Sequence, residues 1–287
     1  MPAGFLTHQQ KEKYGKFCEE LTSDQLAKYF LLDDQDKLLV FRRKGEHNHL
    51  GFALQLGTVR FLGAFLTNPI DVPSNVIHYL SSQLNISDSV LALYQASKTH
   101  WSHKLEIKET YGYHDFTEQP YHLRLIRWLY NHFWLSSEHP GVLFNLAMDR
   151  CIGQKILLPG ATVLERLISQ IRERATSRLW HKLASLPDTN QREILENLLM
   201  VDDKNKTGLE SLRQPVTHES PIGFLKAIER FKMIYSIGAY QWNISRIPIG
   251  KIGVLSRYAS MARAQIIESI EEKPGCCLQE YKQKLEQ

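Results

Sequence analysis

Apolar residues recur along most of this chain at intervals of three and four positions, the spacing that places them on one face of an α-helix. Alternating apolar and polar positions, which are typical of half-buried strands, are almost absent. Two apolar runs, at 38–41 and 156–158, are too short to predict strands. We therefore predict an all-α fold of roughly a dozen helices, each of ~10–20 residues.

Several helix boundaries are predicted by capping residues. Thr7 and Thr22 each begin a Thr-x-x-Gln capping box, in which the hydroxyl accepts from an early backbone N–H and the glutamine returns to the cap. Prolines, whose missing N–H has no partner in a first turn anyway, predict four further helix starts: Pro73, Pro140, Pro221 and Pro248. Gly112 and Gly238 are expected to end helices in the left-handed conformation.

The segment 50–65 predicts a central core helix, because it is apolar on nearly every face and its only polar side chains are Gln55, Thr58 and Arg60. A polar run precedes it directly and consists of Arg42, Arg43, Lys44, His47, Asn48 and His49. Backbone N–H groups and the helix dipole favour an anion at a helix N-terminus. Cations at this position therefore indicate an anionic partner.

The segment 87–113 predicts two helices joined by a tight turn at Ser97-Lys98, which is the layout of a helix-turn-helix. Ser87 and Thr99 are the expected caps. On the second helix, Trp101 and Leu105 are spaced i, i+4 and are expected to pack inward. A basic stripe on the same helix comprises His100, His103, Lys104 and Lys108. Lysine, Thr99 and Ser102 can donate to phosphates, although composition alone favours an ordinary solvated face.

The basic charge is unevenly distributed. The chain has 287 residues, a net charge of +4 and a pI of about 8.7. Residues 120–186 hold nine Lys or Arg against four Asp or Glu, a net charge of +5, whereas 187–214 hold four against six. The first two-thirds of the chain is therefore the expected nucleic-acid surface.

Other classes of site are not expected. The four cysteines, Cys18, Cys151, Cys276 and Cys277, lack zinc-site spacing and are predicted to be free thiols. The pairs His47–His49 and His100–His103 have no spaced acidic or cysteine ligands, so we predict no metal, cofactor or small-molecule ligand. No apolar run approaches the ~20 residues of a membrane span, and no signal peptide is visible, so a cytoplasmic location is expected.

Longer stretches of the sequence resemble a known family. LAKYFLLDDQD, the arginine pair followed by HLGFALQLGTVRFLGAFL, VPSNVIHYLSSQL, LALYQ, THWSHKLEIKETYGY and HDF match, in order and spacing, the N-terminal region of Tn3-family replicative transposases. LPGATVLERLISQIRERA, LESLRQP and FLKAIERF resemble the continuation of the same family. The resemblance extends to about residue 262.

The resemblance implies tandem helix-turn-helix modules, similar to those of centromere protein B, that bind the terminal inverted repeats of a transposon. It divides the chain into a first module at 1–70, a second at 71–118, a basic helical segment at 119–187, and an acidic loop with a helical dimerisation segment and a non-family tail at 188–287. The residues expected at double-stranded DNA are Arg42, Arg43, Lys44, His47, Asn48 and His49, then Lys98, Thr99, His100, Ser102, His103, Lys104 and Lys108, and finally Arg124 and Arg127.

Two departures from the family qualify this expectation. Lys98-Thr99-His100 stands where the family often has arginine, and this loses the bidentate contact to guanine. The chain is also far shorter than family members, which carry a catalytic domain with three acidic residues. Asp202-Asp203 lies in a lysine-rich loop and is no substitute. We therefore expect no catalysis by this chain alone.

Two alternatives remain at this point. In the first, the chain is a DNA-binding part of a transposase. In the second, it is an all-helical interaction module that forms a homodimer through the helices after 220, or a dominant-negative regulator of transposition. A stand-alone enzyme is disfavoured because the sequence has no GxSxG, P-loop or HExxH motif.

Overall fold

The all-α prediction is confirmed by the computed structural model, which describes residues 4–201, 206–213 and 221–261. These residues form fourteen α-helices and two single-turn 3₁₀ segments, and their only β-pairing is two isolated bridges. The helices are α1 (His8–Lys13), α2 (Ser23–Phe30), α3 (Asp34–Phe41), α4 (Glu46–Leu62), α5 (Ser74–Leu84), α6 (Leu91–Ala96) and α7 (Thr99–Tyr111). They continue with α8 (Tyr121–Leu135), α9 (Pro140–Gly153), α10 (Ala161–Ala184), α11 (Thr189–Asn197), α12 (Gly208–Arg213), α13 (Pro221–Ile237) and α14 (Ile249–Met261).

The described residues divide into two compact units. The first comprises 4–129 and 139–169, and the second comprises 130–138 and the described residues from 170 onward. Helices α8 and α10 each contribute residues to both units. The division into modules at residue 70 stays a prediction. One hydrophobic core in the first unit contains residues from before and after this position, from Leu21 to Ile107.

The centre of the first unit is α4, as the sequence predicts. Every residue from 50 to 59 is buried, and α2, α3, α5, α6 and α7 all pack against this helix. Two of its glycines permit that packing, since a Cβ at Gly51 would overlap the ring of Tyr94 and one at Gly57 would overlap the ring of Phe30. The cost of glycine in a helix, about 1 kcal/mol each, is thus offset by two aromatic contacts.

Most predicted helix boundaries are confirmed. Both threonine capping boxes are present, with Thr7 and Thr22 accepting from the glutamine N–H three residues later. Pro140 and Pro221 begin α9 and α13, while Pro73 and Pro248 lie one residue before α5 and α14. Gly112 and Gly238 have φ of +68° and +73° and end α7 and α13. The predicted Thr99 cap is wrong: Thr99 is the first residue of α7, and its N–H donates to the Ser97 hydroxyl over 3.2 Å.

Candidate nucleic-acid interface

The predicted cations precede α4 as expected. Helix α3 ends at Phe41 and α4 begins at Glu46, so Arg42 and Lys44 lie in the connection with exposed side chains. Gly45 occupies the cap position with φ of +90°, where a side chain would be strained, and no side chain caps the first turn. This end of α4 therefore presents backbone N–H groups beside two cations, with Glu46 as the one acid of the turn.

A hydrogen bond joins this connection to the turn between α6 and α7. The hydroxyl of Thr99 donates to Oδ1 of Asn48 over 2.7 Å. Lys98, the exposed residue that precedes α7, makes no side-chain cap either, although the Ser97 hydroxyl accepts from the N–H of Thr99. We call the site made by Arg42, Lys44, His47, Asn48, Lys98 and Thr99 the connection surface. It gathers two helix N-termini and three exposed cations, none of which pairs with a carboxylate in the described part of the chain.

Two histidines next to the connection surface, His49 and His100, bond to the backbone. Nε2 of His49 lies 2.7 Å from the carbonyl oxygen of Arg43, and Nδ1 of His100 lies 2.8 Å from that of Ser97. Each ring therefore holds the turn preceding its own helix. Their half-burial leaves part of each ring accessible, as it does for His47.

Arg43 does not present its guanidinium at the connection surface. The side chain is only 8% exposed, and its Nη2 lies 2.7 Å from a carboxylate oxygen of Glu106 on α7. The guanidinium also lies 3.3 Å over the ring of Phe52 and donates to the carbonyl of Leu39. Burial lowers the pKa of Arg43, and the charge of Glu106 opposes that shift. Arg43 thus connects α3, α4 and α7 from inside the unit.

The predicted orientation of α7 is wrong. His103 is buried, whereas Trp101 and Leu105 are 69% and 57% exposed. Nδ1 of His103 lies 2.9 Å from the Tyr94 hydroxyl, and its ring stacks on Tyr94 and meets Phe52 edge-on. Burial, reinforced by the charge of Arg43, lowers the pKa of His103 to about 4, so the ring is neutral near pH 7. A neutral imidazole can be buried when it is hydrogen-bonded. With His103 on the buried face of α7, Trp101 lies on the exposed face.

The two lysines of the predicted stripe are partly engaged within the unit. Nζ of Lys104 donates to the carbonyl of Leu66 over 2.9 Å and lies over the rings of Trp101 and Phe65. Burial lowers the pKa of Lys104. Lys108 forms an ion pair with Asp115. Ser102 is exposed and donates to the carbonyl of Thr99 over 2.8 Å. Among the polar residues predicted for this helix, those of its first turns are therefore the more available to a partner.

Arg124 and Arg127 are exposed on α8, and Arg124 lies 5.9 Å from the ring centre of Tyr121. In the second unit, Arg174, Arg178 and Lys182 follow one another at i, i+4 spacing on α10, and we call these three the α10 ridge. Arg178 and Lys182 each lie 5.3 Å from the ring centre of Trp134. Arg178 also donates to the hydroxyl of Tyr130 over 3.1 Å.

The structure shows which groups surround the cations of the α10 ridge, which the count of charges in the sequence could not. No carboxylate among the residues with described side chains lies within ion-pair distance of its three cations. Aromatic faces attract and orient cations without neutralising them. The sequence does contain a signal for these contacts, since Tyr130 and Trp134 have the same i, i+4 spacing as the cations of the ridge. Using it would have required knowing that α8 and α10 are neighbours.

Other predicted features have simpler outcomes. Cys18 and Cys151 are free thiols, and Cys276, Cys277, Asp202 and Asp203 lie outside the described residues. Across 4–201, 206–213 and 221–261, no three His, Cys, Asp or Glu residues come together as metal ligands would. Within the same ranges no helix combines the length and apolar character that crossing a membrane requires.

Comparison with known proteins gives consistent matches. Residues 5–171 match the family described as "Domain of unknown function (DUF4158)". The chain is 43% identical over 277 residues to the transposase for transposon gamma-delta of Escherichia coli (strain K12), covering 95% of this chain and 28% of that protein. It is 31% identical over 273 residues to the transposase for transposon Tn1546 of Enterococcus faecium, covering 93% and 27%. The chain thus spans little more than a quarter of the length of these relatives.

Proposed function

Because the chain belongs to the DUF4158 family and is homologous to Tn3-family transposases, we propose that it binds double-stranded DNA in transposition and recognises the terminal inverted repeats of a transposon. The connection surface carries this proposal. The bond between Asn48 and Thr99 brings together two helix N-termini, whose cap residues Gly45 and Lys98 make no side-chain cap, and the cations beside them. Such an arrangement suits phosphate groups, which accept hydrogen bonds from backbone N–H groups and lysines.

The α10 ridge gives the second unit a basic surface of its own. Its three cations are exposed or half-exposed, and two of them, Arg178 and Lys182, lie over the ring of Trp134, so these two side chains are partly ordered before binding. Preordering reduces the entropy lost when a side chain contacts a phosphate. Arg124 and Arg127 add two exposed cations on α8. In this proposal these groups supply affinity, while the first turns of α7 supply specificity.

We assign recognition of DNA ends, and not strand cleavage, to this chain. The aligned part of each relative is only about a quarter of its length. Incubation of the protein with Mg²⁺ and a duplex that contains a transposon end is therefore expected to leave both strands intact. A nick at the transposon boundary would contradict this assignment.

The testing experiment is fluorescence anisotropy with a labelled duplex carrying the inverted repeat of the source element, beside a scrambled duplex of equal length. Specific recognition predicts a preference of roughly 10³ or more. If about five to eight cations contact phosphates, log K should fall with log[salt] at a slope of roughly −5 to −7. Equal affinity for the two duplexes at every salt concentration would refute end recognition.

Self-association is a second candidate, favoured by one observation in the second unit. Helix α13 exposes several large apolar side chains, namely Ile222, Phe224, Leu225, Phe231, Ile234 and Tyr235. Exposed apolar clusters commonly mark protein contacts. A homodimer through α13 predicts a sedimenting species of twice the chain mass that persists at high salt. A monomer at all concentrations, or a Phe231→Ser variant with unchanged self-association, would refute it.

A further inference from the structure

We infer that Trp101 and Leu105 contact thymine methyl groups in the major groove and so help to determine which DNA sequence is bound. This inference rests on the proposed function and extends it to particular residues. Helices α6 and α7 are joined by the two-residue turn Ser97–Lys98, and α7 is the longer helix. In helix-turn-helix proteins the N-terminal residues of the second helix reach base edges.

The core of the first unit does not account for these two side chains. The buried face of α7 is completed by His103 and Ile107, so Trp101 and Leu105 lie on the opposite face, one turn apart, with most of their area exposed. A single exposed leucine is ordinary, but a tryptophan exposed to 69% beside it is not. The amine of Lys104 lies 5.1 Å from the Trp101 ring centre and helps to hold the ring in place.

The surroundings of the pair select its partner. Exposed Lys98 and Ser102 adjoin it at the positive end of α7. Asn48 connects that end to Lys44, because it accepts from the Thr99 hydroxyl and donates to the carbonyl of Lys44. An apolar strip bordered by cations suits the major groove, because phosphates line the groove and the thymine methyl is the one apolar group on its base edges. Glu109 is exposed on the next turn of the same face, so contact is confined to the first two turns.

Thymine-to-uracil substitution tests the inference, because it removes only the methyl group. Each thymine of the inverted-repeat duplex is replaced in turn, and affinity is measured by anisotropy. For wild type, we expect one or more positions at which affinity falls about fourfold, the value of one buried methyl-sized group. At those positions the Trp101→Ala or Leu105→Ala protein should bind both duplexes equally. Trp101→Phe, which keeps an apolar ring, should retain the sensitivity.

The matched control is Leu31→Ala, which removes an equally exposed leucine, also at 57%, from the connection between α2 and α3. It should keep the uracil sensitivity of wild type. If the repeat is preferred over the scrambled duplex yet no uracil position matters, or if the alanine variants stay sensitive, the inference fails and end recognition stands. A change of sedimentation in Trp101→Ala, with uracil sensitivity kept, would instead identify a protein contact. Absence of any preference for the repeat would remove both proposals.

Discussion

Arg60 and Asp36 form a two-pronged ion pair inside the first unit, with Nη1 and Nη2 each 2.8 Å from a different carboxylate oxygen. Tyr111 donates a third hydrogen bond, of 2.6 Å, to the same carboxylate. The cluster joins α3, α4 and α7 around an acid that is 1% exposed. Burial raises the pKa of Asp36, but the hydrogen bonds from Arg60 and Tyr111 outweigh it and leave the pKa below its ordinary value.

Asp36→Asn is expected to lower the free energy of unfolding by about 3 kcal/mol, because it leaves Arg60 without its counter-charge. The estimate is at the low end for a broken buried pair, since Arg60 remains 24% exposed. Urea unfolding measures the effect. Asp34→Asn, which alters an exposed acid on the same helix, should cost ~0.5 kcal/mol or less. Equal costs for the two variants would show that the cluster contributes little.

Asp36 also predicts a loss of stability in strong acid. Its folded-state pKa is lowered, so its contribution is complete above the unfolded value of about 3.9 and disappears as the pH falls through the folded value. Asp36→Asn should therefore flatten the stability curve below about pH 4. A variant that keeps the full slope there would place the acid sensitivity in other groups.

His103 predicts a second, separate pH window. Its folded pKa of about 4 lies below the unfolded value of about 6.5, so the unfolded chain binds the extra proton between these values. Stability should fall as pH drops from about 6.5 to 4, by up to about 3 kcal/mol. His103→Gln keeps a hydrogen-bond partner for Tyr94 and should abolish this slope. The exposed His8, changed to Gln, should leave it unaltered.

Local patterns predicted much of the fold, because their causes lie within a few residues. The capping boxes at Thr7 and Thr22 and the all-apolar face of α4 are examples. The orientation of α7 could not be predicted in this way. It depends on Tyr94, whose hydroxyl lies 2.9 Å from Nδ1 of His103 and also accepts a hydrogen bond from Gln55, a residue of the distant helix α4.

The same limit applies to the candidate site. Arg42 and Lys44 were placed correctly in the connection before α4, since their position follows from helix boundaries alone. Arg43 was not distinguished from them, because its burial depends on Glu106 and Phe52, which are adjacent only in the folded unit. The i, i+4 spacing of Trp101 and Leu105 also predicted that Trp101 packs in the core, although a hydrogen-bonded histidine, His103, is the buried residue there.

Leu54→Ala tests the assignment of α4 as the central helix. Leu54 is fully buried, so its truncation should cost about 2–5 kcal/mol through lost transfer energy and a cavity. Leu38→Ala, at a position that is 67% exposed on α3, should change the free energy of unfolding by ~0.5 kcal/mol or less. Thermal or urea unfolding measures both variants. Unchanged melting of Leu54→Ala would show that the core assignment is wrong.

Alanine substitutions of the neighbouring residues Arg43 and Lys44 should have different effects, one on stability and the other on DNA binding. Lys44→Ala is expected to leave the melting temperature unchanged while reducing the salt slope of DNA binding by about 0.9, the value of one phosphate contact. Arg43→Ala should instead lower the melting temperature, because Glu106 loses its partner and Phe52 loses a packed guanidinium. If Arg43→Ala melts like wild type and reduces the salt slope, its guanidinium leaves Glu106 to contact DNA.

The α10 ridge predicts a purely electrostatic phenotype. Arg174→Ala and Arg178→Ala should each reduce the magnitude of the salt slope by about 0.9, and the double variant by about twice that, without altering the preference for the repeat over the scrambled duplex. Lys232→Ala on α13 is the matched control, since it removes an exposed cation outside the ridge and should leave the slope unchanged. Equal slope reductions for Lys232→Ala and the ridge variants would mean that net charge, rather than the ridge, governs binding. A wild-type slope in the double variant would show that the second unit makes no phosphate contact through α10.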